Sequence, residues 1–106
     1  MKTEDVSGTQ VVRDPDGPRS QRAAESVLRA EGLQPRAWGN GPGAEYAPHR
    51  HEWAKVLYCV TGDIVFHVGP AEVPLVAGDR LELAAGVEHA ATAGRDGVEC
   101  VEAYRT

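Results

Sequence analysis

The sequence predicts an all-β fold: a small antiparallel β-barrel or jelly roll with one short N-terminal helix. Three observations predict it. After Pro35, short apolar runs recur at regular intervals, separated by Gly, Pro, Asn and Asp. The strongest run, Lys-Val-Leu-Tyr-Cys-Val at 55–60, is rich in the β-branched and aromatic residues that suit a pleated surface. Only one segment, 21–31, carries apolar residues at helical spacing, through Ala24, Val27 and Leu28.

Taken in order, residues 1–19 are polar and turn-rich, with Asp14, Pro15, Asp16, Gly17 and Pro18 in a cluster. They read as a flexible N-terminal arm, in which Gln10–Arg13 has the pattern to pair as an edge strand. One barrel domain then spans 20–106. Ser20 is placed to cap a helix near 21–31, and Gly32 and Pro35 to stop it. The helix lays its apolar stripe on the outside of the barrel, which runs from 36 to 104. Strands are expected at 36–38 and 45–51, around the turn Gly39–Gly43. Segments 55–60 and 64–68 read as a hairpin over Thr61-Gly62-Asp63. Further strands are expected at 73–76, 80–83, 87–92 and 98–104. Gly62, Gly78 and Gly86 punctuate strand ends.

Composition bounds the function. At 106 residues the chain makes one small domain with a modest core. Sixteen acidic against eleven basic residues give a net charge of −5, and no basic cluster appears. A nucleic-acid partner is disfavoured, because phosphate neutralisation needs a basic footprint. No apolar run is long enough to span a bilayer. The segment 1–17 lacks the hydrophobic core of a signal peptide, so a cytoplasmic location is expected. Cys59 and Cys100 are too few for a disulfide framework and read as small buried hydrophobes.

The chemistry concentrates in three histidines. His49 and His51 are two apart, which on an extended strand puts them on one face with Cα atoms roughly 6.5 Å apart. His89 arrives from a distant segment to complete a facial set with open positions. The intervals extend beyond the histidines. Gly43, His49, His51, Lys55 and Gly62 are separated by five, one, three and six residues; Gly78, Ala84, Gly86 and His89 by five, one and two.

This pattern resembles the paired motifs of the cupin superfamily, in its small single-domain form. The resemblance covers about half the chain. It implies a β-barrel cup that holds a divalent transition metal (Fe, Mn, Ni or Zn) on His49, His51 and His89, and an expected homodimer paired through sheet edges that would otherwise be exposed. Three positions depart from the pattern. Ala84 and Ala93 replace a proline and an asparagine at a turn and a strand end. Lys55 stands where the family has its acidic ligand. A lysine ammonium 4 Å from a divalent ion would meet a repulsion of roughly 8 kcal/mol at an effective dielectric near 20. Lys55 therefore swings away, loses its proton or is neutralised by an acid. Glu102 is the candidate acid, because it shares strand parity with Cys100 and faces inward if that cysteine does. It would pair with Lys55 or serve as the missing carboxylate ligand. Glu52 and Glu88 have the opposite parity to their histidine neighbours and should point away. His67 reads as a surface residue.

Some thiol dioxygenases of this superfamily use a neutral three-histidine iron centre, and neutral ligands leave the ion's charge free to bind an anion. The expectation is thus a small metal-binding protein, a dioxygenase or isomerase acting on a small organic acid. Lys55 and Tyr46 are its candidate acid, base or clamp, and Tyr46 and Trp53 are candidates for the pocket mouth. The competing expectation is a non-catalytic module that binds or senses a small anion with Lys55 as counter-charge and no obligatory metal.

Overall fold

The computed structural model describes residues 1–106. Its elements in order are β1 (Lys2–Val6), β2 (Thr9–Arg13), α1 (Gln21–Ala30), β3 (Arg36–Asn40), β4 (Glu45–His49), β5 (Ala54–Val68), β6 (Ala71–Val76), β7 (Arg80–Leu83) and β8 (His89–Arg105). All strand pairings are antiparallel. The all-β barrel with one short helix stands as the sequence predicts.

Two long strands organise the fold. The first half of β5 and the last half of β8 pair within one sheet, ordered β1-β2-β7-β5-β8-β3. Their other halves pair within a second sheet, flanked by β6 on β5 and β4 on β8. The sequence reading of 55–68 as a hairpin is therefore corrected. Both halves of β5 pair with β8, and Thr61-Gly62-Asp63 is a bulge that carries the strand from one sheet to the other. Gly62 adopts φ +71°, and a Cβ there would lie 2.1 Å from the Gly97 carbonyl oxygen. Only glycine lets the two chains cross this closely. The expected breaks at 93–97 in β8 vanish for the same reason.

The two sheets face each other across a core that includes Val11, Leu57, Ile64, Phe66, Leu75 and Leu81. Burying each such side chain contributes about 1.5–3 kcal/mol. A second cluster lies on the outer face. Ala24 and Leu28 of α1 pack against Val56, Tyr58, Val60, Val101 and Ala103. The Ser20 side chain accepts from Ala23 N at 3.1 Å, the expected cap. At the other end, Leu33 N donates to Leu28 O and Gly32 N to Arg29 O, closing the helix in a Schellman motif. Arg80 forks onto the Glu31 carboxylate at 2.7 and 2.8 Å, fixing the helix end to the sheet.

The N-terminal segment is not a loose arm. β1 and β2 form a hairpin, and β2 continues the first sheet by pairing with β7. Alternation explains it: Thr9 and Val11 turn inward and are buried, while Gln10 faces solvent. A single buried valine in a polar stretch is a weak signal in one dimension, but sheet pairing makes it decisive.

Candidate metal centre

The three histidines meet at one end of the cup. β4 ends at His49, directly opposite His89 at the start of β8. His51 lies past the end of β4, beyond the strand in which the sequence reading placed it. Its carbonyl accepts from Gly86 N at 2.8 Å, which ties the two histidine-bearing segments together. Ring centroids lie 4.8 Å apart for His49–His51, 4.3 Å for His49–His89 and 5.2 Å for His51–His89.

The ring nitrogens divide their work. Each Nδ1 is engaged: His49 with Ala47 O at 2.7 Å, His89 with Val87 O at 2.9 Å, His51 with the Tyr104 hydroxyl at 3.2 Å. A backbone carbonyl can only accept, so His49 and His89 carry their proton on Nδ1 and present a bare Nε2 lone pair. The Nε2 atoms of His51 and His89 are buried and have no partner. Buried polar atoms are normally satisfied, so two orphaned ring nitrogens in one place mark a site for a ligand. One ligand atom from each histidine lies within 4.8 Å of the others. Nitrogen donors of this kind suit zinc, iron and nickel.

Electrostatics favour the neutral imidazoles that metal binding needs. Burial holds His89 down to about 4, reinforced by His49, Lys55 and His51 against the Val87 carbonyl. Burial likewise lowers His51, with help from the Lys55 ammonium.

Lys55 and Glu102 form another part of the cup wall. Both are buried, and Lys55 Nζ lies 3.3 Å from Glu102 Oε1. Trp38 Nε1 donates to the same oxygen at 2.6 Å, and Arg36 Nε lies 3.9 Å from Oε2. Of the resolutions open to Lys55, neutralisation by an acid is the one the geometry adopts. Glu102 sits in this ion pair and stands outside the histidine group. Glu88 points away as expected, to Arg50 at 2.8 Å.

The cup between these walls encloses about 280 Å³ and includes Trp38, Tyr46, Phe66 and Tyr104 in its lining. Tyr46 sits as expected, its hydroxyl bonded to Asn40 and its ring edge-on to Trp38. Burial pushes the phenols of Tyr46 and Tyr104 up, so both stay protonated at neutral pH. Trp53 is half exposed and packs on Tyr104 outside the cup. His67 bonds Thr92 Oγ1 at 3.1 Å on the far side of its strand and takes no part. Trp38 and Tyr104 were not singled out by sequence. The usable signal was parity on β3 and β8: Trp38 faces Cys100 and Arg36 faces Glu102 in register.

Comparison with known proteins agrees with this geometry. Residues 40–102 match the family described as Cupin domain. The chain belongs to the cupin family. Among solved structures, an RmlC-like cupin from Shewanella frigidimarina NCIMB 400 superposes with a TM-score of 0.61 at 21% identity, covering 97% of this cupin and 81% of that chain. A chain from the structures of the DMSP lyases RdDddP and RnDddQII gives 0.65 at 27% identity, covering 70% of this chain. DMSP lyase DddQ from Ruegeria pomeroyi DSS-3 gives 0.64 at 20%, again over 70%. This cupin spans only 38% of the length of either lyase chain. A comparison with curated proteins finds no match. No helix is long and apolar enough to cross a membrane.

Proposed function

We propose that this cupin is a metal-dependent enzyme acting on a small organic acid, by oxygenation or isomerisation. The observation that carries the reading is the pair of buried, unpartnered Nε2 atoms of His51 and His89 beside His49. His49, His51 and His89 hold a divalent transition ion of the iron, manganese, nickel or zinc type. When bound, that ion supplies Lewis acidity and open coordination positions for a substrate oxygen.

The chain's own residues do the rest. Three neutral imidazoles would leave a bound ion with its full charge, and Arg36 adds a cation at the rim, so an anionic substrate is favoured. Lys55, balanced by Glu102, donates hydrogen bonds toward the cup and clamps the acid group. Tyr46 accepts from Asn40 and keeps its own proton to give to a substrate oxygen. Trp38 and Phe66 exclude water and hold the apolar body of a molecule small enough for about 280 Å³. The protein works as a cytoplasmic homodimer, a state that light scattering on the purified chain checks.

Elemental analysis of protein purified without a histidine tag, followed by turnover assays on a panel of small acids with DMSP included, tests the reading. Stoichiometric metal and metal-dependent turnover are expected. A protein that takes up no metal and gains no thermal stability from any of the four ions contradicts it.

The burial of Lys55 in the cup wall favours a second reading, a non-catalytic module that binds or senses a small anion. Anion-induced melting shifts that persist in chelator and vanish in Lys55→Ala separate it from the first.

A further inference from the structure

Cys59 and Cys100 face each other directly across β5 and β8. The hydrogen bonds around Cys59 define the kind of pair they make. Cys59 N donates to Asp79 O at 3.0 Å, and Cys59 O accepts from Gly78 N at 2.8 Å. Both main-chain groups of Cys59 thus point away from β8. The pair is of the non-hydrogen-bonded type, in which opposite Cα atoms approach to about 4.5 Å and side chains come closest. Disulfides span Cα separations of roughly 4.4–6.8 Å, so a strand pair of this type lies within the range a disulfide bridges. Both thiols are free, inward-facing and buried in the core between the sheets.

We propose that Cys59 and Cys100 form an oxidisable dithiol that closes to a cross-strand disulfide on exposure to peroxide, locking β5 to β8 beneath the metal cup. The chemistry balances with one peroxide per pair. A Cys59 thiolate attacks one peroxide oxygen, the O–O bond breaks, and hydroxide leaves as water after protonation. Cys100 then attacks the resulting sulfenic sulfur, forming the S–S bond and expelling the second oxygen as water. Two thiols and one peroxide become one disulfide and two waters.

The surroundings shape how this proceeds. The neighbouring Cys59 thiol, followed by burial, pushes the Cys100 thiol up. Cys59 Sγ also lies 3.7 Å from the Thr61 and Gly62 carbonyls at the bulge. Oxidation is therefore slow while the strands are closed and gated by opening at the bulge. In a reducing compartment the pair stays as two small hydrophobes. The cross-link would brace the wall of the cup, since Trp38, the donor to Glu102, lies opposite Cys100 on the other side of β8.

Peroxide treatment of the intact chain, with intact mass and thiol titration in denaturant, tests the proposal. The expected result is loss of both thiols, a mass lower by about 2 Da in a monomeric chain, and a melting midpoint raised by roughly 10 °C that dithiothreitol reverses. Cys59→Ala and Cys100→Ala keep an apolar side chain in the core and should each abolish the shift; Cys59→Ser and Cys100→Ser are the polar counterparts. Thiols that stay free after prolonged peroxide at a temperature where the strands open would overturn it. So would oxidation to sulfinic acids, or disulfides formed only between chains.

Discussion

The two walls of the cup are both built from polar side chains, yet they are finished differently. On the Lys55–Glu102 wall charge meets charge, and Trp38 closes the remaining approach to the shared oxygen. On the histidine wall each ring has one nitrogen anchored and, for His51 and His89, one left bare. The first wall has its charges paired within itself. The second is complete only with something between the rings. That difference separates an ion pair balanced before any substrate arrives from rings that lack a partner. It also explains how a lysine can stand at a family's acidic-ligand position: its charge is neutralised within its own wall.

The sharpest way to break this contrast is to remove one member of the self-satisfied wall. Glu102→Leu leaves a buried ammonium and a buried indole N–H without an acceptor. Unfolding free energy should fall by about 3–5 kcal/mol in denaturant titration, and Lys55→Met in the same chain should recover much of it. A loss below about 1 kcal/mol would mean the pair is solvated and the wall is not closed.

Acid tests the other wall. The unfolded chain protonates His89 near the ordinary value of 6.5, whereas the folded chain does so only at about 4. Stability from this group is complete above about pH 6.5 and is lost as pH falls toward 4, because the unfolded state then binds the extra proton. Between pH 7.5 and 5.0 the loss from His89 is about 2 kcal/mol, and the lowered His51 adds to it in the same direction. Urea midpoints at the two pH values measure the slope, and His89→Gln should flatten it. A slope unchanged by that substitution would assign the acid sensitivity elsewhere.

Much of the fold was legible because the motif glycines and histidines keep fixed intervals, and those intervals reflect turns and facing positions. The misread parts share one cause. Thr61-Gly62-Asp63 between two apolar runs has the same appearance whether the chain reverses or only bulges. What decides is the approach of Gly97, thirty-five positions away. The hairpin at the N-terminus was hidden likewise, since Val11 becomes core only through its pairing with β7. In the site, parity placed Lys55 and Glu102 on one inward face. It gave no warning that Trp38 would arrive from β3 to bind the same carboxylate.

A finer probe exchanges character between the walls. Lys55→Glu returns a carboxylate to the acidic-ligand position. Zinc affinity by calorimetry should rise at least about tenfold, or roughly 1.4 kcal/mol. Melting in chelator should fall, because two carboxylates then share a buried wall. Unchanged affinity would mean that position 55 does not reach the ion.

Whether the three imidazoles form one metal site is decided by zinc titration calorimetry on the untagged chain and on His49→Ala. His49 is exposed, so its removal should change chelator-treated stability by no more than about 0.5 kcal/mol. One zinc should bind per native chain, and His49→Ala should lose that binding. Binding that survives the substitution unchanged, or no stoichiometric binding in the native chain, would contradict it.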